Sequence, residues 1–420
     1  MLGACAPKAT ETPAAAKATP VAAKSPVTLK LALWGTADYI KAWEGMVKVF
    51  EQENAGITVE IVAIPWDQYY QKLQVMLAGT SPLDTMIVED KMLRFFASNG
   101  VIRSIDEHVT KADTEKFFAA TLGPFIWQGK TYGLPRRVNN TAVYINKTMF
   151  EKAGIPIPGE KWSQADFFSA ARKLTVKGAD GSVAVYGADF NRVMQHVVPW
   201  VWSNGGEYFD KNFAQALVDM PETVRTLETI VDLCFKDNAM PTPDTLQAME
   251  GTSAMFVSGK LAMIAGNGVW LVPTFRKIKD FEWDVVPLPE GSKGRINIVY
   301  ASCFAVPTHS KYPDEAIRFL LFSSGAKAQA EEAKTPTAIP SIREVAESNL
   351  FLDPSQPPKN MRQFLKELEG SRPAADVYHP TKFMEVSQAF TEEWDVMFRG
   401  KRSVADTMKA LKERLGKLLA

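Results

Sequence analysis

Residues 255–270, MFVSGKLAMIAGNGVW, set two glycines and a tryptophan where a backbone can come close to a bound molecule. Gly266 and Gly268 permit dihedrals and approaches that a side chain forbids. Trp270 follows at once, a flat apolar plate with a single N–H donor. A sugar ring, apolar on its face and polar at its rim, suits such a plate. The competing reading is an ordinary turn with Trp270 in a core. Asn267, between the glycines, either hydrogen-bonds a ligand or simply tolerates a left-handed turn.

Similar residues gather at the ends of expected strands. VTLKLALWG (27–35) alternates Leu29, Leu31 and Leu33 with smaller or polar neighbours and reads as a strand. Residues 41–53 carry Trp43, Met46, Val47 and Phe50 at helical spacing. GITVEIVAI (56–64) is a second strand, 67–78 a second helix and TMIV (85–88) a third strand. This β-α-β-α-β order predicts a parallel, doubly wound sheet. Such sheets bind ligands beyond the carboxyl ends of their strands. Trp34 and Asp38 follow the first strand, Trp66 the second, and Glu89 and Asp90 the third. All five are candidate ligand contacts, with capping or hinge packing as the alternative for Trp34, Asp38 and Trp66.

Further along, helices are expected at 147–153 after Asn146, 162–175, 222–235 and 313–324, and through much of the last forty residues. Ser163 and Asp166 fit a capping box, with Trp162 stapled onto Phe167. SNGGEYFD (203–210) reads as a turn leaving the aromatic segment VPWVW. Phe390, Trp394, Met397, Met408, Leu411, Leu415 and Leu418 form the expected C-terminal core.

A chain of 420 residues exceeds one small core, so two lobes are expected. Lys+Arg and Asp+Glu are both 48, which gives no basic excess for nucleic acid or an anionic membrane. Three cysteines make no disulfide framework. Cys234 and Cys303 lie in apolar runs and read as buried thiols. His108, His196, His309 and His379 show no metal spacing. No nucleophile elbow is present. Ser258-Gly259-Lys260 fails as a phosphate loop, because Ala254 stands where a glycine is needed and Leu261 where Ser or Thr is needed. GNGVWL lacks the third glycine of a dinucleotide fingerprint. A glycoside hydrolase is the natural enzyme rival, but no acid and nucleophile stand out, so no catalysis, cofactor or metal is expected.

LGAC, ending at Cys5, matches a bacterial lipobox, although the charged and apolar regions of a signal peptide are not seen before it. Residues 6–26 are nearly all Ala, Pro, Thr, Lys and Ser, a linker composition. Cys5 is therefore the expected lipidation site, placing the protein outside the cytoplasm on a membrane anchor.

Eight segments occur in an order that resembles one family. They are LALWGT, VFEQENAGITVEI, LAGTSPLDTMIVED, YGLPRRVNNTAVYINKTMFEKAGIPIP, WSQADFFSAARKLT, SNGGEYFD, MFVSGKLAMIAGNGVW and DEAIRFLLFSS. Over about 27–415 the chain resembles the extracellular solute-binding proteins of ABC importers that take sugars and oligosaccharides, maltose-binding protein among them. The resemblance implies a type II two-lobed α/β fold, each lobe a mainly parallel sheet flanked by helices, with ligand in the cleft and closure by a hinge. Lobe one would hold 27–139 and 299–345, lobe two 140–298 and 346–420, with crossings near 139–141 and 298–302 and a third further on.

It also implies Trp270 as a stacking residue, Asn139 as a polar contact at the first crossing, Trp202 as a lobe-two wall and Tyr300 at the second crossing. Core burial rivals the reading of Trp202. Arg136 is a similar candidate, although a pair with a carboxylate explains it equally well. Arg136-Arg137 together could instead mean an anionic ligand. The implied partners are a carbohydrate and the membrane subunits of a permease, with a monomeric chain. Pro82-Leu83-Asp84 inserts a leucine into the family's Pro-Asp pair, which leaves open whether Glu89 or Asp90 faces the cleft.

Overall fold

The computed structural model describes residues 25–35, 37–79, 83–368 and 370–420. Cys5 lies outside them, as does the side chain of Asp38. Strand β1 (Val27–Trp34) is covered on both faces, with Leu29, Leu31, Ala32 and Leu33 fully buried. Strand β2 (Ile57–Ile64) pairs with it in parallel from Val27↔Ile57 to Trp34↔Ile64. Strand β3 (Thr85–Glu89) lies parallel on its other side. Helices α1 (Ala37–Glu53), α2 (Tyr69–Ala78) and α3 (Asp90–Ser98) follow these strands in turn. The register ends β1 and β2 abreast, so Trp34 and Trp66 emerge at one rim of the sheet.

The sheet continues from β3 through Ile298–Ala305, Arg137–Asn139 and Ile339–Pro340. Arg372–Pro373 adds a short parallel pair to Ile298–Val299. A second sheet runs in the order Asp189–Phe190, Met263–Asn267, Ala142–Asn146, Trp283–Val286. The two-lobed α/β architecture is as expected, but the sheets are mixed rather than mainly parallel. Ile298–Ala305 runs antiparallel to both β3 and Arg137–Asn139, and Ala142–Asn146 antiparallel to both its neighbours. The reason is topological. Strands that reach a sheet by crossing from the other lobe need no βαβ crossover, which is what enforces parallel pairing.

The chain passes between the sheets at Asn140-Thr141 and again within 287–297. The two passages are tied together. Thr141 Oγ1 donates to Asn297 Oδ1 at 2.9 Å, and Asn297 Nδ2 donates to the Thr141 carbonyl at 2.7 Å and to Glu367 Oε2 at 2.9 Å.

Local signals hold elsewhere. Ser163 Oγ accepts from the Asp166 amide at 3.1 Å, Asp166 returns the bond at 2.9 Å, and the Trp162 and Phe167 rings are 5.9 Å apart. The C-terminal helices Phe383–Phe398 and Val404–Leu419 pack on the second lobe, with Phe390 5.2 Å from Tyr208. Leu418 is only half-buried there. VPWVW belongs to a fully buried helix, Met194–Ser203. Cys234 and Cys303 are free and buried. Among the described residues, no helix is long and apolar enough to cross a membrane.

Candidate functional site

A cavity of about 630 Å³ opens between the lobes, within the size range of small-molecule sites. Lobe one reaches it from its strand ends. Trp34 is wedged against Tyr69, ring centres 5.0 Å apart, and Trp66 is 50 % exposed just past β2. Glu89 closes β3. Its Oε2 accepts from the Tyr70 hydroxyl at 3.1 Å and pairs with Lys91 Nζ at 3.0 Å. Asp90 instead starts α3, and one of its oxygens accepts the Lys91 amide at 2.9 Å. Burial, reinforced by the Glu89 charge, pushes the Asp90 carboxyl up to about 8. Glu89 is thus the carboxylate that faces the cavity, whereas Asp90 is buried and does not line it.

The pleat of two crossing strands supplies the floor. Tyr300 lies opposite Asn139 and Ser302 opposite Arg137. Because side chains alternate along a strand, these four share one face, and all four line the cavity. Arg136 belongs to the other face. It is fully buried, its guanidinium 3.8 Å from the centre of the Trp43 ring and paired with Glu332. The ligand-contact reading of Arg136 is therefore corrected to a core ion pair. Arg137, passed over as a contact in its own right, takes its place, with Nη2 donating to Thr337 Oγ1 at 3.0 Å.

Lobe two contributes Trp270, Asn191 and the first turn of Met194–Ser203. Tyr300 donates to the Gln195 carbonyl at 2.9 Å and lies 3.0 Å from His196 Nδ1. Gln195 Oε1 accepts from Lys91 Nζ at 3.0 Å and from the Tyr378 hydroxyl at 2.5 Å. Side chains of the two lobes are thus hydrogen-bonded to each other at the back of the cavity. With both donors on Oε1, the Gln195 amide nitrogen is left facing His196 Nε2, at 3.4 Å. Trp202, further along the same helix, points away. Its indole donates to Glu207 at 2.9 Å beneath the Arg372 guanidinium, so it is corrected from cleft wall to packing.

The glycine motif works differently from the sequence expectation. The strand Met263–Asn267 runs through Gly266, at φ +73°, with a bulge between Ile264 and Asn267. A Cβ on Gly266 would sit 3.0 Å from the His196 carbonyl. One on Gly268 would sit 2.3 Å from both the Asn140 carbonyl and the Trp270 ring. The glycines make room for His196, for the first crossing and for the indole, rather than for a ligand. The Trp270 ring is 5.7 Å from His196 and 6.3 Å, edge to face, from Tyr300. Asn267 is buried beside the cavity and accepts from Asn191 at 3.4 Å.

Of the eleven candidates, Trp34, Trp66, Glu89, Asn139, Trp270 and Tyr300 meet at this cavity. Asn267, Asp90, Arg136 and Trp202 do not line it, Asn267 touching it only through its bond with Asn191, and for Asp38 only its position in α1 is described. Arg137, read from sequence only as half of an Arg136-Arg137 pair for an anion, joins the lining, and Asn191, Gln195, His196 and Ser302 carried no such sequence reading.

Burial, with Lys91 adding to it, lowers the His196 imidazole from 6.5 to about 3. Below pH 6.5 the unfolded chain therefore gains a proton that the folded chain refuses. Stability should fall as pH drops from 6.5 toward 3, by up to ~1.4 kcal/mol per pH unit from this group. Urea unfolding of wild type and His196→Gln over that range isolates the term, and two parallel pH profiles would refute it.

Two α/β lobes with a small-molecule cavity between their strand ends define a type II substrate-binding protein. The folds of solved relatives agree. An ABC substrate-binding protein of Listeria monocytogenes, in complex with cycloalternan, superposes with TM-score 0.86 at 23 % identity over 94 % of this chain and 99 % of that one. A maltose-bound protein of T. maritima gives 0.79 at 19 %, over 93 % and 100 %. The sequence model of the bacterial extracellular solute-binding proteins matches residues 45–358, and the chain belongs to that family. Among curated relatives, a putative binding protein of Brucella abortus is 25 % identical over 314 residues, 74 % of this chain and 75 % of that protein. The galactooligosaccharide-binding protein of Bacillus subtilis is 23 % identical over 352 residues, 78 % and 79 % of the two chains.

Proposed function

We propose that this protein captures a sugar or oligosaccharide between its lobes and delivers it to the membrane subunits of an ABC importer. The carrying observation is the lining of the cavity. The indoles of Trp34, Trp66 and Trp270 surround it together with Glu89, Arg137 and Asn139. Indole faces suit C–H faces, and a carboxylate, a guanidinium and an amide suit hydroxyls. The relatives named for oligosaccharides support the same ligand class.

In this reading lobe one comprises 27–139 and 299–345 and lobe two 140–298 and 346–420, except that Arg372–Pro373 returns to pair with the lobe-one sheet, the lobes closing about the paired crossings. The chain acts as a monomer tethered through a lipid on Cys5, and it does not catalyse. Glycoside hydrolysis uses two carboxyl groups flanking one bond. Among the described residues lining the cavity, Glu89 is the one carboxylate. An anionic polyol such as a sugar phosphate is the second reading. Arg137 favours it, while Glu89 in the same wall opposes it.

Calorimetric titration with mono- and oligosaccharides, sugar alcohols and sugar phosphates tests the proposal. Saturable binding of an uncharged sugar is expected. Tight binding of a peptide or metal, with no response to any carbohydrate, would sink it.

A further inference from the structure

Three passages of the described chain join the lobes, and each is hydrogen-bonded to the other two. The first, Asn140-Thr141, leads into the lobe-two strand Ala142–Asn146. The second ends at Asn297, directly before the lobe-one strand Ile298–Ala305. The third lies between Asn360 and Arg372. Asn360 is bonded to lobe two, its amide donating to Asp284 Oδ1 and its Nδ2 to the Val285 carbonyl, both at 3.0 Å. Arg372 is paired with Ile298 in the lobe-one sheet.

The passages meet at Asn297 and Glu367, both buried. An asparagine side chain offers two donors and two acceptor positions, and Asn297 uses all four. Its Oδ1 accepts from the Thr141 hydroxyl at 2.9 Å and from the Ile298 amide at 2.8 Å. Its Nδ2 donates to the Thr141 carbonyl and to Glu367 Oε2. The Asn297 carbonyl accepts from the Arg372 amide at 2.9 Å. Glu367 Oε1 accepts from Gln363 Nε2 at 2.9 Å and faces Arg295 Nη1 at 3.6 Å. A separate bond, from Asn140 Nδ2 to the Phe364 carbonyl at 2.6 Å, joins the first passage to the third.

A buried polar network that is fully satisfied rigidifies its surroundings and specifies one arrangement. Atoms near a rotation axis move least, so bonds shared by both lobes survive closure only there.

We propose that Asn297 and Glu367 form the pin of the inter-lobe hinge, positioning residues that hold the three passages on one axis while the lobes close. It rests on the reading that the lobes close about their crossings, and it adds the third passage and the residues that fix the axis. Neither residue lines the cavity, so any effect on binding passes through the orientation of the lobes.

Distances between spin labels on Gln68→Cys and Lys277→Cys test the pin. Both positions are exposed, one beside Trp66 on lobe one and the other just past Thr274 on lobe two. Cys5→Ala removes the native thiol outside the buried pair Cys234 and Cys303. Thr141→Val keeps the shape of its side chain and removes one bond to Asn297, and Glu367→Ala removes the carboxylate. Both should broaden the distance distribution of the free protein. Glu367→Ala should also weaken binding about threefold or more, because fewer molecules present the competent orientation. The probes are maltotriose, galactobiose and arabinobiose. Glu367→Gln should restore the wild-type distribution and affinity. Its carbonyl still accepts from Asn297, and its amide can donate to Gln363 Oε1 once that side chain turns over. That oxygen is buried without a partner among the described residues.

Lower melting temperatures with unchanged distributions and affinities would reduce the pair to packing and overturn the pin. If Glu367→Ala does not fold, the distribution of Thr141→Val decides. A wild-type distance that stays fixed under saturation with a sugar that calorimetry shows to bind would overturn closure, and the pin with it. If none of the three sugars binds, the sugar reading is what suffers, and the free-protein distributions alone decide the pin.

Discussion

Gly268→Ala is expected to lower stability by about 1–3 kcal/mol, the usual cost of forcing volume into a packed site, and to weaken sugar binding at least tenfold. The added methyl would meet two neighbours at 2.3 Å, and neither can yield cheaply. One is the Asn140 carbonyl, in the first passage between lobes. Asn140 is itself fixed, since its side chain donates to the Phe364 carbonyl at 2.6 Å. The other is the Trp270 ring, which closes one wall of the cleft. On the far side, Gly268 is held by its own carbonyl, which accepts from the Tyr144 hydroxyl at 2.6 Å. A shift away from the methyl therefore strains the lobe-two sheet, and a shift of the ring spoils the stacking plate. Gly159→Ala is the control, because a Cβ there meets nothing within 4 Å. Thermal melts and calorimetry on both variants check the result. If Gly268→Ala binds and melts like wild type, the close packing of this segment does not matter to function.

The same segment shows what a sequence can and cannot disclose about this site. Trp34 and Trp66 were legible because two rules point at them together: alternation defines β1 and β2, and parallel sheets expose their carboxyl ends. Trp270 was legible from its neighbours, although the reason for the glycines was not. Their purpose depends on Asn140 and His196, which are distant in sequence and adjacent only once two strands and a helix have packed. Glu89 and Asp90 could not be told apart by type. The end of β3 separates them, one facing the cleft and the next starting a helix.

Arg136 is separated from Asn139 by a strand that only the fold reveals. Asn139 lies on the short strand Arg137–Asn139, and strand residues on one face differ by two. Arg137 fits that period and Arg136 does not. The same parity, carried across the ladder, also marks Tyr300 and Ser302. Gln195 and His196 gave no such signal. They sit in a run, MQHVVPWVWS, apolar enough to read as core, and the helix they belong to is in fact buried. Only its first turn breaks into the cleft. Trp202 belongs to the same helix but lies two turns further on, which is why an aromatic there packs against Arg372 and Glu207 instead.

These placements suggest how the lobes and the ligand depend on each other. Lys91 and Tyr300 come from the lobe-one side, and both bond Gln195 of lobe two. Lys91 also holds Glu89, the carboxylate that faces the cavity. A sugar hydroxyl that engages Glu89 therefore acts on a group already linked, through one lysine, to the opposite lobe. Binding and lobe contact share an element, which is the requirement for a ligand to bias closure.

Trp270→Ala is expected to weaken binding by about 1–3 kcal/mol, roughly a five- to 150-fold loss, if the indole stacks on a sugar. The partner test is Trp66→Ala on the other lobe. Trp66 is 50 % exposed, so its removal leaves no cavity and should not disturb folding. Trp270 is half-buried against His196 and Tyr300, and its loss carries some packing cost in addition. Thermal melts of the free proteins measure that cost separately, and titrations measure binding. If the two indoles grip one ligand from opposite lobes, each alone should cost binding, and the double variant should lose less than the sum, because a sugar released by one plate no longer reaches the other. Simple additivity would mean that the plates serve different rings. Unaltered affinity in Trp66→Ala, together with a collapsed melt in Trp270→Ala, would return both residues to structure and leave the cleft without its stacking surface.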